Sequence, residues 1–270
     1  MLAGLSPARR RLVLALLALT AMCVALVAVL LSRSSDPALP PAAQGRPGPV
    51  LLVPGYGGGT ASLQLLADRL AAVGRDATVL ALPEGGTGDL RRSADALDSA
   101  AEEALSRTGA ESVDVVGYSA GGVVARLWVA DGNTDVVRRV VTLGSPHHGT
   151  TLAELAVDIA PGECPVGCSQ LAPGSDLLAR LNAGDETPEG PTWVSIWTVQ
   201  DRTVTPPDSA ELEGALNLSV QSVCTDARIG HGDLIRSPLV QEIVLAELAA
   251  GEPVQLGPAD CARLGGPASG

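Results

Sequence analysis

Ser119 lies in Gly117-Tyr118-Ser119-Ala120-Gly121, directly after an apolar run at 113–116 and directly before a helical stretch at 122–129. A serine on a tight turn between a strand and a helix projects its hydroxyl, and side chains two residues to either side would collide. Glycine at 117 and 121 removes them, and Gly122 makes the pattern more specific than a bare G-x-S-x-G. A serine hydroxyl is a weak nucleophile and needs an adjacent base. The chain has three histidines, His147, His148 and His231. A nucleophile elbow of this kind is followed in chain order by an acid and then a histidine. That order selects His231, in Ile229-Gly230-His231-Gly232-Asp233. The acid is expected after the fifth strand, where Asp201 stands in WTVQDRTVTPP. Asp208 lies deeper in that loop and Asp226 follows the sixth strand, so Asp201 is preferred. His147 and His148 are adjacent, their side chains diverge, and they are read as supporting residues rather than base or metal ligands. Ser119, His231 and Asp201 together suit acyl transfer through a covalent intermediate.

Positioning these groups requires alternating strands and helices. Strands are predicted at 50–53, 78–82, 113–116, 136–143, 193–199 and 216–223. Leu63, Leu66, Ala67 and Leu70 share one helical face, and Leu90, Ala94, Leu97, Ala101 and Leu105 share another. Gly74 and Gly109 sit where each helix should stop, and a last helix is predicted from 238 to 249. Alternation of this kind implies an α/β fold, a mostly parallel sheet of about six strands with helices on both faces. Runs such as VDVVG, apolar without alternation, fit strands buried on both sides. Residues 150–191 interrupt the pattern and are expected to form a short cap: a helix, a CPVGC loop and a second helix. Leu152, Leu155, Val157, Ile159, Leu171, Leu177 and Leu178 are its candidate acyl-binding residues.

Composition bounds the partners. The 270 residues carry 18 basic and 30 acidic side chains, a net charge of −12, with no lysine and no phenylalanine. Nucleic acid is excluded as a partner, because a phosphate backbone demands basic neutralisation. Gly57-Gly58-Gly59 is not a P-loop, since no G-K-[ST] accompanies it. Leu12–Leu31 is an apolar run preceded by Arg9, Arg10 and Arg11, long enough to span about 30 Å as a helix. It is read as a membrane signal-anchor or a long signal peptide over 1–31, which places the rest outside the cytoplasm, anchored or secreted. A Pro/Ser-rich linker covers 32–48, the main domain 49–250 and a tail 251–270. Cys164, Cys168, Cys224 and Cys261 suit two disulfides in an oxidising compartment. Cys164–Cys168 is favoured by the intervening Pro-Val-Gly turn, and Cys224–Cys261 would tie down the tail.

Four motifs in order resemble the α/β-hydrolase superfamily, and most closely its small secreted bacterial lipases and esterases. They are VPGYGGG after the first strand, GYSAGGVVAR at the elbow, TLGSPHHGT after the next strand, and the paired D-x-x-V-x-P and G-H towards the end. The resemblance covers roughly 49–250. It implies that the Tyr56 and Ala120 backbone N–H groups form an oxyanion hole. It also implies a carboxylic-ester hydrolase acting on lipid or other acyl esters, with no cofactor and no metal. Many relatives have His-Gly where this chain has Pro54-Gly55, which alters the loop but leaves backbone donors in place. An acyltransferase with the same three residues, or a non-catalytic binding protein on the same fold, remain the alternatives. Natural substrate, acyl length and oligomeric state are not read from the sequence.

Overall fold

The computed structural model describes residues 7–33, 42–160 and 162–265. It divides into two compact units, Met1–Pro40 and Pro41–Gly270. In the first, helix α1 runs over Pro7–Arg33, with Leu14, Leu16, Leu17, Leu19, Met22 and Val24 exposed. Among the described residues no helix is long and apolar enough to cross a membrane. The membrane anchor expected over Leu12–Leu31, and the membrane as a partner, are therefore not supported. Residues 34–41 of the expected linker and 266–270 of the expected tail lie outside the described residues.

The second unit is built on six strands: β1 (Val50–Val53), β2 (Ala77–Val79), β3 (Val113–Tyr118), β4 (Val137–Leu143), β5 (Thr192–Trp197) and β6 (Leu216–Ser219). Their order is β2-β1-β3-β4-β5-β6, and every pairing is parallel. Alternate residues of the central strands feed two separate cores. Val50 and Leu52 pack with α2 (Ala61–Ala72) and α9 (Pro238–Glu247). Leu51 and Val53 pack with α3 (Leu90–Thr108) and α4 (Ala120–Ala130). Burial on both faces explains why these strands are apolar throughout. Helix α3 starts on Asp89, whose side chain accepts from the Arg91 N–H, and stops at Gly109 in the left-handed conformation (φ 69°), the stop the sequence indicates.

Two elements differ from expectation. The strand expected over 216–223 ends at Ser219, whose side chain accepts from the Ser222 N–H and starts the short helix α8 (Val220–Val223). Valine content favours a strand, but the local serine cap wins. The insertion holds three helices rather than two: α5 (Thr151–Ile159), α6 (Val166–Gln170) and α7 (Asp176–Leu181). Helix α6 occupies the stretch expected to be the CPVGC loop. The Gly167 N–H donates to the Thr87 carbonyl at 3.0 Å, and Gln170 bridges the Leu90 N–H and Asp89. These contacts dock α6 onto the start of α3.

The packed unit extends past 49–250 at both ends. Gln44 bonds Arg138, Arg139 and Thr192, while Leu256 and Leu264 are buried in the core with Cys261. Disulfides join Cys164 to Cys168 and Cys224 to Cys261. At the N-terminal edge of the sheet, Val113 pairs with Val137 but Asp114 with Arg139. Arg138 is thus the extra residue of a β-bulge. The bulge brings two consecutive arginines to one buried cluster. Arg138 holds Asp114 through Nε and Nη2 at 2.8 and 2.6 Å. Both arginines donate to carbonyls at the end of α9, Arg138 to Leu248 and Arg139 to Glu247, where the helix leaves acceptors unpaired.

Candidate active site

The opposite, C-terminal edge of the sheet carries the candidate residues. The chain leaves β1 for β2 on one side and returns to β3 on the other, so β1 and β3 flank the topological switch point where open α/β sheets bind ligands. The loop after β1 holds Tyr56, and the turn after β3 holds Ser119.

Ser119 adopts φ 53°, ψ −125°, a conformation L-residues rarely take. Close packing enforces it. A Cβ at position 117 would sit 2.5 Å from the Gly122 Cα, and one at 121 would sit 2.2 Å from the Val53 carbonyl oxygen. The elbow glycines are thus required by neighbouring backbone. The Ser119 N–H donates to the Leu143 carbonyl at 2.8 Å, tying the turn to β4.

His231, in a turn beyond α8, brings Nε2 to 3.1 Å from Ser119 Oγ. Its Nδ1 lies 2.6 Å from Asp201 Oδ2. Asp201 is buried, and its other oxygen, Oδ1, accepts from the Thr203 and Val204 N–H groups at 2.8 and 2.9 Å. Both carboxylate oxygens are therefore occupied, which fixes the plane in which the carboxylate meets the ring. The three residues chosen from order alone meet in one chain of hydrogen bonds. Asp208 and Asp226 make no hydrogen bond with His231.

His147 and His148 diverge as expected. His147 is fully buried, its Nε2 3.1 Å from Thr142 Oγ1. Burial, with Arg126 and His148 nearby, holds its pKa well below the usual histidine value, so it stays neutral. His148 reaches Glu186 at 2.8 Å.

Three residues of the surroundings were not singled out from the sequence. Tyr118, the residue before Ser119 in the elbow, sets its ring 5.2 Å from that of His231 at a tilt of 35°, and its hydroxyl donates to the His231 carbonyl at 3.3 Å. Burial and then the Asp201 charge push its pKa up to about 12, so it remains a neutral donor. Arg126, buried in α4, donates to Asn182 at 2.9 Å and to the Glu186 carbonyl at 3.2 Å, clasping the end of the insertion. Gly144 (φ 56°) packs under the Asp201–His231 contact: a Cβ there would lie 2.6 Å from Leu234 Cδ1 and 3.3 Å from both Asp201 Oδ2 and His231 Nδ1. A glycine following a strand was the available signal.

An apolar cavity of about 240 Å³ opens beside Ser119, lined among others by Tyr56, Leu152, Ala156, Cys168 and Leu171. The insertion therefore contributes a wall, but not through all the residues expected. Leu177 and Leu178 are buried in the core against α4 instead, and Ile159 is 73% exposed. Their helices turn these side chains away from the cavity. Ala120 is buried at the first position of α4, directly after Ser119, and Tyr56 is exposed in the loop after β1. Among the described residues no group of three or more His, Cys, Asp or Glu side chains could hold a metal ion.

Sheet order, elbow and hydrogen-bonded Ser-His-Asp chain define the α/β-hydrolase fold, and part of the chain is similar in sequence to proteins named as lipases. A family profile described as PGAP1-like alpha/beta domain matches residues 85–157. The triacylglycerol lipase of Pseudarthrobacter phenanthrenivorans is 35% identical over 68 residues, 25% of this chain and 21% of that one. That of Burkholderia plantarii is also 35% identical over 68 residues, 25% of this chain and 18% of that one. The match thus spans about a fifth of these curated relatives' length. Among solved structures, Aspergillus fumigatus lipase B superposes with TM-score 0.66 and 19% identity, covering 80% of this chain and 57% of that one. A mature Bacillus licheniformis lipase gives TM-score 0.62 and 22% identity, covering 79% and 96%. At these identities the likeness is one of fold.

Proposed function

We propose that the protein is a serine ester hydrolase acting on acyl esters outside the cytoplasm. The observation that carries this reading is the Ser119–His231–Asp201 hydrogen-bond chain at the mouth of an apolar cavity. The names of the matching lipases agree with it.

In the proposed reaction the acyl chain occupies the apolar cavity, and His231 Nε2 takes the Ser119 proton as Oγ attacks the ester carbonyl. Asp201 holds the ring so that Nδ1–H faces its carboxylate, and it stabilises the imidazolium that forms. The Tyr56 and Ala120 N–H groups hold the negative charge on the acyl oxygen. The tetrahedral intermediate expels the alcohol, which leaves with the proton from His231. Water then repeats the sequence: His231 removes its proton, the hydroxyl adds to the acyl group, and Ser119 recovers its hydrogen as the carboxylic acid departs. The disulfides support an extracytoplasmic setting, because such bonds persist in oxidising compartments.

A fluorophosphonate probe should label the wild type and not Ser119→Ala, and Ser119→Ala should lose hydrolysis of short-chain esters with an unchanged circular dichroism spectrum. A probe-inert wild type, or an active Ser119→Ala protein, rejects the reading.

A further inference from the structure

His231 borders a second cavity, and its lining is unlike that of the apolar one. The cavity, about 560 Å³ in volume, is walled by Gln200, Arg202, Thr203, Arg228 and the glycines on either side of His231. No acidic side chain lines it. Thr203 belongs to both cavities, so the two adjoin, with Ser119 lining the apolar one and His231 the second. Two arginines without an acid stand out in a chain of net charge −12. Both are exposed, and neither guanidinium has a hydrogen bond or ion pair among the described residues. Arg202 also borders a neighbouring groove with Glu154 and Asp158 but pairs with neither.

The loops carrying the two arginines are held together. Gln200 Nε2 donates to the Ala227 carbonyl at 3.2 Å, and its Oε1 accepts from the Ile229 N–H at 3.1 Å. These bonds grip the backbone on both sides of Arg228. Thr198 Oγ1 donates to the Ile229 carbonyl at 2.7 Å. The backbone is thus fixed from both sides while the two cationic ends stay unpaired.

The direction of proton transfer says what belongs there. The leaving alcohol takes its proton from His231, so it must depart on the histidine's side of Ser119, whereas the acyl chain takes the apolar side. We propose that the cavity of Arg202 and Arg228 binds a phosphate carried on the alcohol portion of the ester, so that the preferred substrates are acyl esters of phosphorylated alcohols. Guanidinium groups suit this role, since their planar forks match phosphate oxygens and stay charged at any working pH. The inference rests on the ester-hydrolase reading above.

A matched pair of soluble esters tests it: monobutyryl glycerol and monobutyryl glycerol 3-phosphate, which share the acyl group and differ in the anion. The wild type should favour the phosphorylated ester at least tenfold in kcat/KM. That ratio should fall towards one in Arg202→Gln/Arg228→Gln, be largely kept in the double lysine variant, and shrink with added salt, as expected for exposed charges. A wild-type ratio near one, or a ratio indifferent to both substitutions, overturns the inference while the hydrolase reading stands. If neither ester turns over and the fluorophosphonate fails to label Ser119, that reading fails and takes the inference with it. If labelling succeeds without turnover, glycerol 3-phosphate should slow labelling of the wild type and not of the double glutamine variant. Equal rates in both overturn the inference.

Discussion

Asp201 makes hydrogen bonds through both oxygens, and this sets what its substitution should do. In Asp201→Asn the amide has one acceptor oxygen and one donor nitrogen for a site that needs acceptors on both sides. If the oxygen stays with Thr203 and Val204, the nitrogen faces His231 Nδ1 and forces the proton to Nε2, where it can no longer accept from Ser119. Hydrolysis should fall on the order of 10⁴-fold, with the unfolding midpoint little changed. A loss under tenfold would separate Asp201 from the reaction. At this scale the sequence was most legible where few residues compete. With three histidines in the chain, chain order left one base. Arg202 and Arg228 were not legible, because their meaning lies in a cavity between two loops far apart in sequence. Tyr118 was hidden for a related reason, its partner being a backbone carbonyl 113 positions away.

Helices α5 to α7 show two uses of an apolar side chain that composition does not distinguish. Ala156 lines the apolar cavity, and Leu177 is 2% exposed within the core. Ala156→Leu should shorten the preferred acyl chain at little cost in stability. Leu177→Ala should leave the C4-to-C16 ratio unchanged and destabilise by about 2–5 kcal/mol, the usual cost of such a core deletion. Rate ratios across an ester series, with urea unfolding of the same variants, check both. The periodicity of α2 and α3 was readable because each buries a stripe along one face. Helix α6 was not, since a five-residue helix is too short to show a period. The bulge in β4 was hidden too: VRRVV gives no sign that both arginines turn to one cluster. Asp114→Ala would leave Arg138, fully buried, without its carboxylate. Removing one partner of a buried pair costs about 3–5 kcal/mol, so the variant should unfold at much lower urea concentration. Its folded fraction should keep wild-type turnover, as the cluster lies at the edge of the sheet opposite Ser119.

For the chain as a whole, pH acts on stability through a group remote from the reaction. Glu247 is fully buried at the end of α9 with Oε1 unpaired. Burial pushes its pKa up to about 7, against the lowering pull of the Val254 N–H and Arg139. The folded protein therefore holds this proton more tightly than the unfolded chain, and stability drains away as pH rises from the unfolded value near 4.5 through about 7. Glu247→Gln removes that loss. Its stability relative to wild type should be higher at pH 8 than at pH 5, by at most about 3 kcal/mol. A difference independent of pH would mean that Glu247 is charged in the folded protein. The Cys224–Cys261 bond closes 37 positions of chain, and His231 and all of α9 lie inside that interval. Covalently, this stretch is a ring. A protease that cuts once within it opens the ring without releasing a fragment, so the histidine and the last helix stay attached to the strands they serve. Only a second cut in the interval, or a reductant, could carry either away.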